Sequence, residues 1–236
     1  QLSTAADFSG TLASSQTFGT TALFAGLTAN STYYLRVKAL GHGGAESAYA
    51  VAAASATEAA APVTAAVSAV TPTTAQLGWG ANANPAGTLY DAQLSTASDF
   101  TGTLTSSRTS GVTALFSGLA ANTTYYLRAK ALGHGGSESA YAVASASATT
   151  PNAPTGAAPQ GVSISSAQFG WNANSNPGGT LYVSQLSTAS DFSGTLSSSQ
   201  TVGLSAAFTG LTGGATYYFR VRAAGVGGTL SAFSAT

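Results

Sequence analysis

The sequence predicts an all-β chain made of tandem, seven-stranded, two-sheet sandwiches. The first ground is a repeat of 92 residues with no insertion or deletion: Gln1-Leu2-Ser3-Thr4 returns as Gln93-Leu94-Ser95-Thr96 and as Gln185-Leu186-Ser187-Thr188. Tyr33-Tyr34 likewise returns as Tyr125-Tyr126 and Tyr217-Tyr218. A unit of that length is too long for a solenoid repeat and suits a small domain. The second ground is local: short alternating runs punctuated by Gly, Pro, Asn, Ser and Thr, with no sustained helical spacing. The third is composition. With 44% hydrophobic and 9% aromatic residues the chain can fill cores, which excludes disorder.

The copy from about Glu58 to Thr150 shows the elements in order. Val63 to Val70 forms a first strand, closed by Thr71-Pro72. Ala75, Leu77 and Trp79 alternate with Gln76 and Gly78, so one face of the second strand is apolar. Asn82-Ala83-Asn84-Pro85 and Gly87 make a turn. Tyr90, Ala92 and Leu94 then alternate with Asp91, Gln93 and Ser95. Asp99 to Ser110 is polar and predicts a loop holding one short edge strand. Ala114 and Phe116 lead into Leu119. The clearest strand follows, with Tyr125, Leu127, Ala129 and Ala131 on one face and Tyr126, Arg128 and Lys130 on the other. After the turn Gly133-His134-Gly135-Gly136, a last strand spans about Ala140 to Ala148. Seven strands with turns every eight to twelve residues specify a sandwich.

The stretch from Leu119 to Ala131 resembles the most diagnostic segment of fibronectin type III domains, L-x-P-x-T-x-Y-x-V-R-V-x-A. Leu119, Thr123, Tyr125, Arg128 and Ala131 match, while Ala121 stands in place of Pro. Trp79 occupies the position of the family's second-strand Trp, and Gly136 and Ser139 fit its entry to the last strand. The positions return as Leu27, Tyr33, Arg36 and Ala39, and as Leu211, Tyr217, Arg220 and Ala223; the third copy departs at Ala215. The resemblance covers the whole chain and implies immunoglobulin-like sandwiches in tandem, of bacterial extracellular type. It also implies that Tyr33, Tyr125 and Tyr217 are tyrosine corners, and that Trp79 and Trp171 are core residues. At such a corner the ring is buried while the hydroxyl bonds back to upstream backbone.

Residues 1–57 are then a partial copy lacking its first two strands, 58–150 a complete one, and 151–236 nearly complete with a truncated last strand. That register predicts a window of a longer repetitive polypeptide, with the missing strands supplied upstream or by another chain. The connections, Thr57 to Pro62 and Thr150 to Pro154, are short, and their prolines predict stiff joints.

Little in the chain points to chemistry. Without Cys there is no disulfide framework, thiolate metal site or Cys nucleophile, as in bacterial exported proteins that avoid thiols. His42 and His134 each sit in a Gly-His-Gly-Gly turn, replaced by Val226 in the third copy, and are expected to be solvated. Asp7, Asp99 and Asp191 recur before Phe8, Phe100 and Phe192. One carboxylate with hydroxyl neighbours falls short of a Ca²⁺ site, so Asx turns that aim each Phe inward are expected. No nucleophile elbow accompanies the many serines, and no catalytic residue, metal or cofactor is expected. Outward-facing Tyr34, Tyr126 and Tyr218 are expected to cover neighbouring side chains. Asn30-Ser31-Thr32 and Asn122-Thr123-Thr124 are N-glycosylation sequons, making Asn30 and Asn122 candidate glycan acceptors; Gly214 stands there in the third copy.

Charged residues make up only 6% of the chain, seven basic and seven acidic. That excludes a nucleic-acid partner, which needs clustered Lys and Arg, and no apolar run approaches the roughly 20 residues of a membrane span. A surface of Ser, Thr, Ala, Gly, Gln and Asn packs against copies of itself at little desolvation cost. The expected function is a non-enzymatic structural array in a cell-surface or extracellular filament, sheath or layer. Its expected partners are copies of itself or neighbouring repeats. The alternatives are an adhesion module that takes a glycan or protein ligand, and a spacer in a secreted carbohydrate-active enzyme.

Overall fold

The structure, a computed structural model, describes residues 1–234; Ala235 and Thr236, the expected end of the third copy, lie outside the described residues. All regular structure among the described residues is β. The first copy supplies β1 (Leu2–Ser3), β2 (Leu12–Ala13), β3 (Thr32–Val37), β4 (Ala50–Val51) and β5 (Ser55–Ala56), in one sheet ordered β2-β1-β3-β4 with β5 also on β3. The second supplies β6 (Val63–Ser68), β7 (Thr74–Gly80), β8 (Leu89–Ser95), β9 (Leu104–Thr109), β10 (Thr113–Ser117), β11 (Thr124–Leu132), β12 (Ala142–Val143) and β13 (Ser147–Ala148). The third supplies β14 (Thr155–Val162), β15 (Ser166–Asn172), β16 (Leu181–Ser187), β17 (Leu196–Thr201), β18 (Ser205–Thr209) and β19 (Tyr218–Ala224).

In the second copy one sheet runs β10-β7-β6 and the other β12-β11-β8-β9, with β13 also on β11, every pairing antiparallel. The core lies between them because alternation puts one face of each strand inside. In β7, Ala75, Leu77 and Trp79 are buried, and in β11, Tyr125, Leu127, Ala129 and Ala131. Trp79 tilts against Tyr90 with ring centroids 5.4 Å apart. The third copy repeats the arrangement with Phe169 and Phe219 in place of Leu77 and Leu127. Those two rings stack at 4.3 Å, and Trp171 packs beside Phe219.

Three elements differ from expectation. The polar segment after Asp99 holds the expected edge strand, β9, but a longer one, in six-residue register with β8 from Tyr90↔Thr109 to Ser95↔Leu104. Neither face of it is buried deeply, so no apolar alternation marks it in the sequence. The last strand is split: Arg128↔Val143 and Ala129↔Ala142 are in one register, Thr124↔Ala148 and Tyr125↔Ser147 in another, with the extra residue accommodated between. The first strand likewise shifts register between Val63 and Ala66, beside Thr64 at φ 50°.

Candidate functional site

The polar groups that the fold brings together from distant sequence lie where one copy meets the next. At the second of these joints, the Asn122 side chain bridges two elements of the third copy. Its Nδ2 donates to Thr180 Oγ1 at 3.0 Å and its Oδ1 accepts from Val226 N at 2.7 Å. Thr180 Oγ1 donates in turn to Pro177 O at 2.7 Å, and Asn122 N donates to Thr150 O at 3.3 Å. At the first joint Asn30 does the same with Thr88 Oγ1 at 3.0 Å and His134 N at 2.7 Å. Asn30 is 0% and Asn122 5% exposed, so these bonds are made out of water and every polar side-chain group of the asparagine is engaged.

Local conformation explains why Asn stands there. Asn30 and Asn122 have φ of 47° and 49°, a left-handed geometry that Asn tolerates better than most residues. In the third copy Gly214 occupies the position at φ 77°, keeping the backbone turn without an amide side chain.

The linkers are tied on both sides of the bridge. Thr149 Oγ1 donates to Ala120 O at 2.7 Å and accepts from Thr123 N at 3.0 Å, fixing the end of the second copy. Asn152 N donates to Asn176 Oδ1 at 2.8 Å, and Asn176 Nδ2 returns a bond of 2.8 Å to Asn152 O, fixing the start of the third. Gly225 completes the fit, since a Cβ there would lie 2.9 Å from Pro151 Cδ and 3.2 Å from Asn122 Oδ1. The joint is held by this hydrogen-bond network as well as by the prolines that mark it in the sequence.

These positions correct the sequon expectation. Asn30 and Asn122 present no free amide nitrogen: each Nδ2 is buried and donates to a threonine of the next copy. A glycan on either would have to break the joint.

A second constellation recurs on the outer face of the sheet that holds β11. The Arg128 guanidinium lies between two rings, 3.8 Å from the Phe100 centroid and 3.9 Å from that of Tyr141, with Nε donating to Gln93 Oε1 at 2.8 Å. Arg36 lies likewise between Phe8 and Tyr49, and Arg220 between Phe192 and Phe233. This corrects the expected inward Phe. The Asx turn does form, with Asp99 Oδ1 accepting from Thr101 N at 3.0 Å, but Phe100 turns at φ 62° onto the guanidinium outside the core. Bonds from the hydroxyls and amides of Ser9, Thr101 and Ser193 hold the carboxyls of Asp7, Asp99 and Asp191 below the usual range.

The remaining candidates are structural in their surroundings. Tyr33, Tyr125 and Tyr217 accept through their hydroxyls from Thr28 N, Ala120 N and Thr212 N at 3.0, 3.0 and 2.9 Å. Trp79 and Trp171 are each 5% exposed inside the two cores. Tyr34 and Tyr126 are half-buried, and Tyr218 is exposed. His42 and His134 are exposed. Among the described residues no group of three or more His, Cys, Asp or Glu could hold a metal ion, and no helix is long and apolar enough to cross a membrane. Two clefts on the first copy are lined by Phe24 and Leu35 among others.

The chain superposes on a two fibronectin type-III domain segment from chicken tenascin with a TM-score of 0.55, covering 73% of this chain and 95% of that one at 20% identity. The fold is that of tandem fibronectin type III domains. A structure of the chicken CNTN1 FN1-FN3 domains aligns over 87% of this chain and 74% of that one, at 15% identity and a TM-score of 0.34. No family profile and no curated protein matches the sequence. In fibronectin type III terms, the sequence resemblance from Leu119 to Ala131 falls on β11 and the corner before it. The asparagine bridge joins that corner to two loops of the following copy.

Proposed function

We propose that the chain is a non-enzymatic structural array, with 1–57, 58–150 and 151–236 as successive units of an extracellular or cell-surface filament, sheath or layer of bacterial type. The observation that carries this reading is the duplicated joint. Asn30 and Asn122 make the same bonds, of the same lengths, to residues 58 and 104 positions further on. A spacer needs only reach; a joint with buried, fully paired polar groups holds orientation as well.

The surface supports association. With 14 charged residues in 236, little charge guards the chain against contact with its copies. Leu115, Val143, Val162 and Ile164 are exposed on the outside of the second and third copies. Burying such a surface strips few charges of water.

The test is electron microscopy with light scattering on a recombinant chain of several copies. Lateral association into filaments or sheets is expected. Isolated rods that stay monomeric at high concentration would overturn the assembly.

A further inference from the structure

The third copy departs from the other two in how its outer sheet face is neutralised. In the first two copies a strand lysine is paired with a glutamate from the following hairpin, Lys38 with Glu46 and Lys130 with Glu138. Ninety-two residues on, the lysine is Arg222 and the glutamate is Leu230. On the neighbouring strands Asp91 lies opposite Lys130 and Arg108, whereas Val183 lies opposite Arg222 and Gln200, so an acid and a base are lost there together. Arg220 stays in place, held by Gln185 Oε1 at 2.7 Å between Phe192 and Phe233. Arg222 leans on the same Phe233, 4.7 Å from its centroid, and its buried Nε has no hydrogen-bond partner.

Two guanidiniums, two residues apart on β19, therefore share one face with no ion pair among the described residues. The one acidic side chain of this copy, Asp191, accepts from Ser193 N at 2.9 Å and from the Ser193 hydroxyl. In a chain this poor in charge, such an uncompensated pair stands out.

We propose that this face binds a carboxylate in trans: a Glu or Asp side chain of another polypeptide takes the place that Glu46 and Glu138 fill within their own copies. Two observations select that ligand. The fold already uses a glutamate carboxylate at this position twice, so the geometry accepts one. The exchange of Lys for Arg replaces a point charge with a planar fork that grips a carboxylate through two parallel bonds. A glycan fits less well, because Phe192 and Phe233 each already carry a guanidinium over the ring.

The test follows the arginine Nε–H signals of the full chain by NMR, adding a tetraglutamate peptide and, separately, a heparin-derived tetrasaccharide. Saturable shifts at Arg220 and Arg222 are expected with the peptide, weakening as salt screens the charges. Leu230→Glu installs the residue of the first two copies; it should weaken binding about tenfold or more by supplying the counter-charge internally. Unchanged thermal unfolding of Leu230→Glu checks that the fold is intact. Absence of shifts, shifts that survive Leu230→Glu, or tighter binding of the tetrasaccharide at the same residues would overturn the proposal.

Discussion

Asn122 Oδ1 accepts a hydrogen bond of 2.7 Å from Val226 N, linking residues 104 positions apart across the boundary between two copies. Asn122→Gly should remove this bond and the one to Thr180 while keeping the left-handed backbone, as Gly214 does in the third copy. The expected result is a joint that loosens while each sandwich stays folded. Spin-label distances across the joint should broaden, with little change in thermal unfolding. Asn122→Ala should cost about 1–2 kcal/mol more, because a Cβ resists that conformation.

Tyr125→Phe deletes the hydroxyl that accepts from Ala120 N. A buried bond of this kind contributes about 1 kcal/mol, and the orphaned N–H adds to the loss. The urea midpoint of the second copy should fall accordingly. An unchanged midpoint would mean that the corner bond adds nothing to stability.

Phe100→Ala opens one side of the Arg128 stack. Loss of a cation–π contact of this type, with the packing of the guanidinium, should destabilise by about 0.5–2 kcal/mol. Arg128→Lys should also destabilise, since an ammonium can neither stack between two rings nor keep the planar bond to Gln93. Chemical denaturation of both variants measures the two parts.

Asp99 titrates low because it accepts from the hydroxyl and amide of Thr101. A carboxyl depressed on folding adds stability that is complete above its unfolded value, near 4, and that disappears as pH falls through its folded value. This contribution should therefore be lost only in acid, below about pH 4. Thr101→Val should raise the Asp99 midpoint in carboxyl NMR, with Asp7 and Asp191 unchanged as internal references.

The strands and cores are legible in the sequence because period-two alternation at Ala75-Leu77-Trp79 and Tyr125-Leu127-Ala129 is the direct imprint of one buried face. The edge strand from Leu104 to Thr109 leaves no such imprint, since neither of its faces is covered deeply. The joint is hidden for a different reason. Asn30 meets Thr88 and His134 from 58 and 104 residues away, and nothing local distinguishes a bridging Asn from one in a sequon. The sequence trace of the joint is comparative: Asn30 and Asn122 recur together with Thr88 and Thr180, which the same offset separates. An aromatic after an Asx turn suggests burial, whereas the side chain that Phe100 covers is an arginine on the outer face.

The two joints are also statements of symmetry. A head-to-tail contact that repeats unchanged applies one rotation and one translation to each successive unit, and where it does not close it generates a helical path. The path of such a chain is then written in its asparagines. Gly214, at the equivalent place in the third copy, keeps the left-handed turn but has no side chain with which to write the next step.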